Sequence, residues 1–132
     1  MTLPTQKRVL IVDDDRVTRT IVRKILERAG YAVFESESMA DGLRDGEKIL
    51  PHMILLDWMV GGKTGADFLE SKKNIPVLSA IPVIAVSGRT SPFGKSQVLS
   101  LGVAGFVGKP VDARILIQKI AMCLKDWTSS AA

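Results

Sequence analysis

Five times along this chain a short apolar run gives way to a polar turn and then to apolar residues at helical spacing. The runs are Val9-Leu10-Ile11-Val12, Tyr31-Ala32-Val33-Phe34, Met53-Ile54-Leu55-Leu56, Val83-Ile84-Ala85-Val86 and Ala104-Gly105-Phe106-Val107. A run this short and this continuously apolar, bounded by turn signals, fits a strand buried on both faces of a parallel sheet. Parallel neighbours need crossover connections, which are right-handed and here helical. The expected fold is therefore α/β, a doubly wound five-stranded parallel sheet with helices on both faces, for which 2-1-3-4-5, one of the common orders of such sheets, is the expected order.

The spacing predicts a helix from about Arg16 to Ala29, with Gly30 as its C′ residue. A weaker helix is expected from Ser38 to Leu50, where Gly42 and Gly46 lower the propensity and Pro51 closes it. Short helices should follow over Thr64–Lys73 and from Thr90-Ser91-Pro92 to about Leu101, with proline near the first position of the latter. Asp112 should cap the last helix, whose apolar face is Leu116, Ile117, Ile120, Ala121 and Leu124. Met59-Val60-Gly61-Gly62-Lys63 and Ile75-Pro76-Val77-Leu78 read as loops, and Asp126–Ala132 as a frayed polar tail. One domain is expected over 1–132, with a core of about 8–125.

Several function classes are disfavoured by composition. The N-terminus lacks the apolar core of a signal peptide and no apolar run approaches a membrane span, so a cytoplasmic location with no membrane partner is expected. The single cysteine, Cys123, precludes an internal disulfide and reads as a small buried hydrophobe. Net charge is +4, but Arg16, Arg19, Arg23, Lys24, Arg28, Lys72 and Lys73 are scattered without interleaved aromatics. Solvated helix faces are expected from that pattern, not a nucleic-acid patch. His52 precedes a buried strand with no metal-ligand neighbours, so it reads as structural.

The chemistry gathers at strand ends. Asp13, Asp14 and Asp15 follow the first strand, Asp57 ends the third, Ser87 the fourth, and Lys109 follows the fifth. In open α/β sheets that edge is where ligands bind. Two carboxylates ~4 Å apart repel by ~4 kcal/mol at an effective dielectric near 20. Such a cluster is stable with a cation or with raised pKa values. Mg²⁺ suits a few carboxylates, water and a phosphate oxygen, and Mn²⁺ is expected to substitute. Lys109 would supply a point charge, Ser87 a hydroxyl donor, and Asp57 a carboxylate nucleophile. The site looks built to take a phosphoryl group onto an aspartate.

At these residues the chain closely resembles the response-regulator receiver domains of two-component signalling. The motifs are Val9-Leu10-Ile11-Val12-Asp13-Asp14, Ile54-Leu55-Leu56-Asp57, Gly65 eight residues later, Pro82-Val83-Ile84-Ala85-Val86-Ser87-Gly88 and Phe106-Val107-Gly108-Lys109-Pro110. The resemblance spans about Arg8 to Leu124 and implies a flavodoxin-like fold of the chemotaxis-regulator kind. It implies that Asp57 is the phosphoacceptor, that Asp14, Asp57 and the Met59 carbonyl hold Mg²⁺, and that Asp13 acts through water. Ser87 and Lys109 would hold the phosphoryl group, and Phe106 would change rotamer as Ser87 moves. The implied partners are a histidine kinase or phosphotransfer protein and a downstream protein target. The chain would be a phosphoacceptor, at most slowly dephosphorylating itself.

Two departures and two rivals accompany this reading. Many receivers carry proline where this chain has Gly61, followed by Gly62, so that loop is expected to be more mobile; many are also acidic. Met59 and Arg89, two residues after Asp57 and Ser87, are candidates for setting the lifetime of the phosphorylated form. Asp13-x-Asp15-x-Val17 also fits the nucleophile motif of haloacid-dehalogenase-like phosphatases, an enzyme reading that leaves Asp57 without a role. A phosphorylation-independent binding module with a decayed site is the other rival, opposed by intact Asp13, Asp14, Asp57, Ser87 and Lys109.

Overall fold

The computed structural model describes residues 6–88 and 94–131, with side chains through residue 124. Five strands, β1 (Arg8–Val12), β2 (Ala32–Ser36), β3 (Met53–Asp57), β4 (Val83–Ser87) and β5 (Gly105–Gly108), form one sheet in the order β2-β1-β3-β4-β5. Every pairing is parallel, as the run lengths predict.

The apolar runs are continuous because both faces of the sheet are covered. Val9, Ile11, Met53, Leu55 and Ile84 face one layer, where Val22 and Leu26 of α1 (Arg16–Arg28) meet Leu116, Ile120 and Leu124 of α5 (Ala113–Ala131). Leu10, Val12, Ile54, Leu56 and Ala85 face the other, with Trp58, Phe68 and Val98. That second layer contains α2 (Met39–Ile49), α3 (Gly65–Lys73) and α4 (Lys95–Leu99). Each fully buried side chain of this size contributes about 1.5–3 kcal/mol. All five residues of β3 are buried, and the last is Asp57.

Local signals set the helix ends. Asp15 caps α1 by accepting the Val17 N–H, and Gly30 closes it at φ +95°. Ser38 caps α2 and Asp112 accepts the Ile115 N–H at the start of α5. The glycines of α2 act through packing. A Cβ on Gly42 would lie 2.7 Å from Val12 Cγ2, so their absence of side chains lets α2 lie close to β1.

Several expectations change. Met59–Val60 and Lys63–Thr64 pair as an antiparallel ladder, so this segment is a hairpin and not a loop. Gly61 and Gly62 both have positive φ, which a two-residue type I′ turn requires. Pro76–Ser79 forms one helical turn with proline at its start, in place of a loop. The backbone of α5 runs to Ala131, past the point where fraying is expected and through Trp127. The start of the helix predicted from Thr90-Ser91-Pro92 lies outside the described residues, and α4 itself ends at Leu99.

Not all of the basic face of α1 is solvated. Arg19 is buried, and Arg19 and Arg23 bond Glu35 of β2 at 3.0 and 2.6 Å. Burial pushes the Glu35 carboxyl up, but the bonds from Arg23 and Arg19 outweigh it and hold the group below its ordinary range. His52 has a structural place: its Nδ1 accepts the Arg8 N–H at 2.9 Å. No helix among the described residues is long and apolar enough to cross a membrane.

Candidate functional site

Parallel register brings four strand ends together. Val12 lies beside Leu56, Asp57 beside Val86, and Ser87 beside Gly108. The residues at or just past those positions are Asp13, Asp57, Ser87 and Lys109, separated by 44, 30 and 22 positions in sequence.

One carboxylate oxygen from each of Asp13, Asp14 and Asp57 lies within 4.8 Å of the other two. Asp13 and Asp57 are buried, and Asp14 opens to solvent. Lys109 Nζ is 3.3 Å from Asp57 Oδ1 and 3.7 Å from Asp13 Oδ2. The Lys109–Pro110 peptide, which follows β5, is cis. Backbone bonds hold the frame: the Trp58 N–H donates to Val86 O at 2.9 Å and the Lys109 N–H to Ser87 O at 2.8 Å.

Three carboxylates against one ammonium leave the cluster electron-rich. Burial raises the Asp57 pKa and the Asp13 charge raises it further; Lys109 opposes both, and the result is about 6. At the same edge, Ser87 Oγ is buried with no hydrogen-bond partner among the described residues. A buried hydroxyl left unpaired costs about 1–3 kcal/mol, so this one is set to gain a partner. The donor set therefore fits two kinds of ligand: a hard divalent cation against the carboxylates, and an oxyanion against Ser87 and Lys109.

The sequence-predicted residues divide accordingly. Asp13, Asp14, Asp57 and Lys109 form one cluster, with Ser87 at the same sheet edge. Asp15 stays outside: both its carboxylate oxygens are engaged in capping, with the Val17 N–H and the Thr18 hydroxyl. Phe106 is half-buried against the layer that contains Ala85, Val98 and Val103. Met59 is exposed at the base of the hairpin, and Arg89 lies outside the described residues.

Three contributors were not anticipated. The Gly61 N–H donates to Asp14 Oδ2 at 3.2 Å, although 47 residues separate them. Arg19 Nη1 donates to the Asp13 carbonyl at 2.8 Å. The Trp58 ring occupies the space above Gly65 that any Cβ would need. Only the first had a signal, the Gly-Gly pair as a hairpin turn.

A family model described as the response regulator receiver domain matches residues 9–121. The chain is 30% identical over 119 residues to the phosphate regulon transcriptional regulatory protein PhoB of Pseudomonas aeruginosa, covering 90% of this chain and 52% of that protein. It is 31% identical over 124 residues to the KDP operon transcriptional regulatory protein KdpE of Escherichia coli, covering 94% and 54%. It thus spans about half the length of these curated relatives. Among solved structures, the chemotaxis response regulator CheY4 of Vibrio cholerae superposes with a TM-score of 0.80 at 25% identity, covering 90% of this chain and 99% of that one. A response regulator from Desulfuromonas acetoxidans gives 0.79 at 27%, covering 90% and 97%.

Proposed function

The chain belongs to the response regulator receiver domain family, and from that premise we propose that it accepts a phosphoryl group on Asp57 in a Mg²⁺-dependent step. The donor would be a histidine kinase or phosphotransfer protein, and the product would switch a protein-interaction surface. The observation that carries the reading is the placement of Asp57. It ends the central strand, lies 3.3 Å from Lys109, and shares a cluster with two further carboxylates.

In the proposed step an Asp57 carboxylate oxygen attacks phosphorus as the bond to the donor's leaving group breaks and its electron pair departs with that group. Asp14, Asp57 and the Met59 carbonyl would hold Mg²⁺, with Asp13 acting through water. When bound, the cation would neutralise charge on the transferring oxygens. Lys109 would place its ammonium against one phosphoryl oxygen and Ser87 would donate its hydroxyl to another. Because burial favours the neutral form of Asp57, a cation beside it also favours the ionised nucleophile.

Next to this edge α1 exposes Val17 and Ile21, and a groove of about 480 Å³ runs between Ile21 and Val22 on one side and Lys109, Pro110 and Val111 on the other. An apolar face continuous with the acceptor site is where the donor protein would dock. The phosphatase reading fares worse, because Asp15, the second aspartate of its motif, is engaged in capping.

Intact-protein mass spectrometry after incubation with acetyl phosphate tests the proposal. One added phosphoryl group is expected with Mg²⁺, none with EDTA, and none in Asp57→Asn. Labelling that survives in the variant would move the role to another carboxylate.

A further inference from the structure

Asp14 is the exposed member of the carboxylate cluster, and a solvent-facing aspartate is free to rotate away from a ligand. In this chain it is held. Its Oδ2 accepts the Gly61 N–H at 3.2 Å, from the first turn residue of the Met59–Thr64 hairpin. That N–H is free to point outward because a two-residue turn leaves its central amides out of the ladder. The conformation that aims it, φ +59°, suits glycine and is closed to proline, which also has no N–H to donate.

We infer that Gly61 is a positioning residue for cation binding: its backbone N–H fixes the Asp14 carboxylate by one oxygen and leaves lone pairs on the carboxylate available for the cation. The inference rests on the cation reading proposed above. A carboxylate has two oxygens and about four lone-pair sites, so accepting one N–H does not exhaust it. Hydrogen bonds that orient ligating carboxylates typically change metal affinity 10–100-fold. The site therefore depends on a hairpin tip 47 residues away in sequence, at the position where many receivers carry proline.

Calorimetric titration of the full chain with MgCl₂ tests this without phosphorylation. Gly61→Pro removes the donor and should weaken Mg²⁺ binding at least tenfold. Gly61→Asn keeps the N–H and tolerates positive φ, so it should stay within about threefold of wild type. Gly62→Pro disturbs the same turn but keeps the Gly61 N–H, and should also lose much less than Gly61→Pro. In an Asp14→Ala background, which removes the acceptor, Gly61→Pro should add no further loss. Equal losses in the two proline variants would assign the effect to the hairpin and overturn the inference, as would wild-type affinity in Gly61→Pro. The Gly61 amide resonance gives a readout that needs no proline variant. It should lie downfield in wild type, move upfield in Asp14→Ala, and stay downfield on Mg²⁺ saturation. An upfield move on saturation would mean that the N–H competes with the cation, contrary to the inference. A wild-type chain that binds no Mg²⁺ at all would instead remove the cation reading beneath it.

Discussion

At Gly65 the chain has no room for a methyl group, because the Trp58 ring lies where a Cβ would stand. Trp58 follows Asp57 directly and is almost wholly buried, so its fixed ring also fixes where the backbone leaves β3. Gly65→Ala should cost ~2–3 kcal/mol by overpacking. Urea denaturation checks this, and Trp58→Leu should recover much of the loss in combination. Additive losses would mean the two residues do not share that space. Met59 presents a different question at the same scale. It is exposed beside the proposed acceptor and cannot orient a water by hydrogen bonding. Hydrolysis of an aspartyl phosphate needs water in line, so Met59→Asn with Arg89→Glu should shorten the phosphorylated lifetime about tenfold, ~1.4 kcal/mol in the barrier. Loss of label after donor removal, followed on Phos-tag gels, measures it. An unchanged rate would transfer lifetime control to other groups.

Among the elements, β4 pairs with β5 and α4 packs in the same layer, and the proposed switch would run through these three. Ser87 ends β4 with a buried hydroxyl that has no partner among the described residues, and Phe106 on β5 packs half-buried beside Ala85 and Val98. A phosphoryl group adds ~1.5–2 negative charges. Drawing the Ser87 hydroxyl toward it would change the space next to Phe106. A full 1:99 to 99:1 shift requires ~5.5 kcal/mol of differential stabilisation. Bonds from Ser87 and Lys109 made mainly in one state are the proposed source. Amide exchange should therefore change between Ser87 and Lys109 on adding a beryllofluoride mimic with Mg²⁺. A change restricted to the Asp57–Lys63 segment would refute the switch.

For the whole molecule, Asp57 is a charge that the fold tolerates poorly. Its folded pKa, about 6, lies above its ordinary value of 3.8. Between those values the native state binds more protons than the unfolded state, so this group's contribution to stability falls as pH rises through the window. Asp57→Asn mimics the neutral form. With EDTA present, the variant and wild type should be nearly equal near pH 4. The variant should gain on the order of 2 kcal/mol by pH 7 and stay level above. Added Mg²⁺ at pH 7.5 should narrow or reverse the order, since it binds the native wild type. Thermal melts across pH check both, and a pH-independent difference would show that Asp57 is not strained.

The sequence by itself determined the sheet and the composition of its reactive edge. Runs such as Val9–Val12 and Met53–Leu56 are apolar at every position because both sheet faces are covered, and their alternation with helical spacing fixes parallel pairing. Asp13, Asp14, Asp57, Ser87 and Lys109 stood out because each falls at or just past a strand's carboxyl end. Tertiary structure decided what those local patterns could not encode. A carbonyl bond from Arg19 to Asp13, an N–H from Gly61 to Asp14, and a ring above Gly65 depend on how the layers pack. The same holds for Gly42 and Gly46, which read as weak helix formers until β1 and Leu78 lie against them. Periodicity reports which side of an element is apolar; it carries no information about which distant backbone group will face a given carboxylate, because that depends on packing across the sheet.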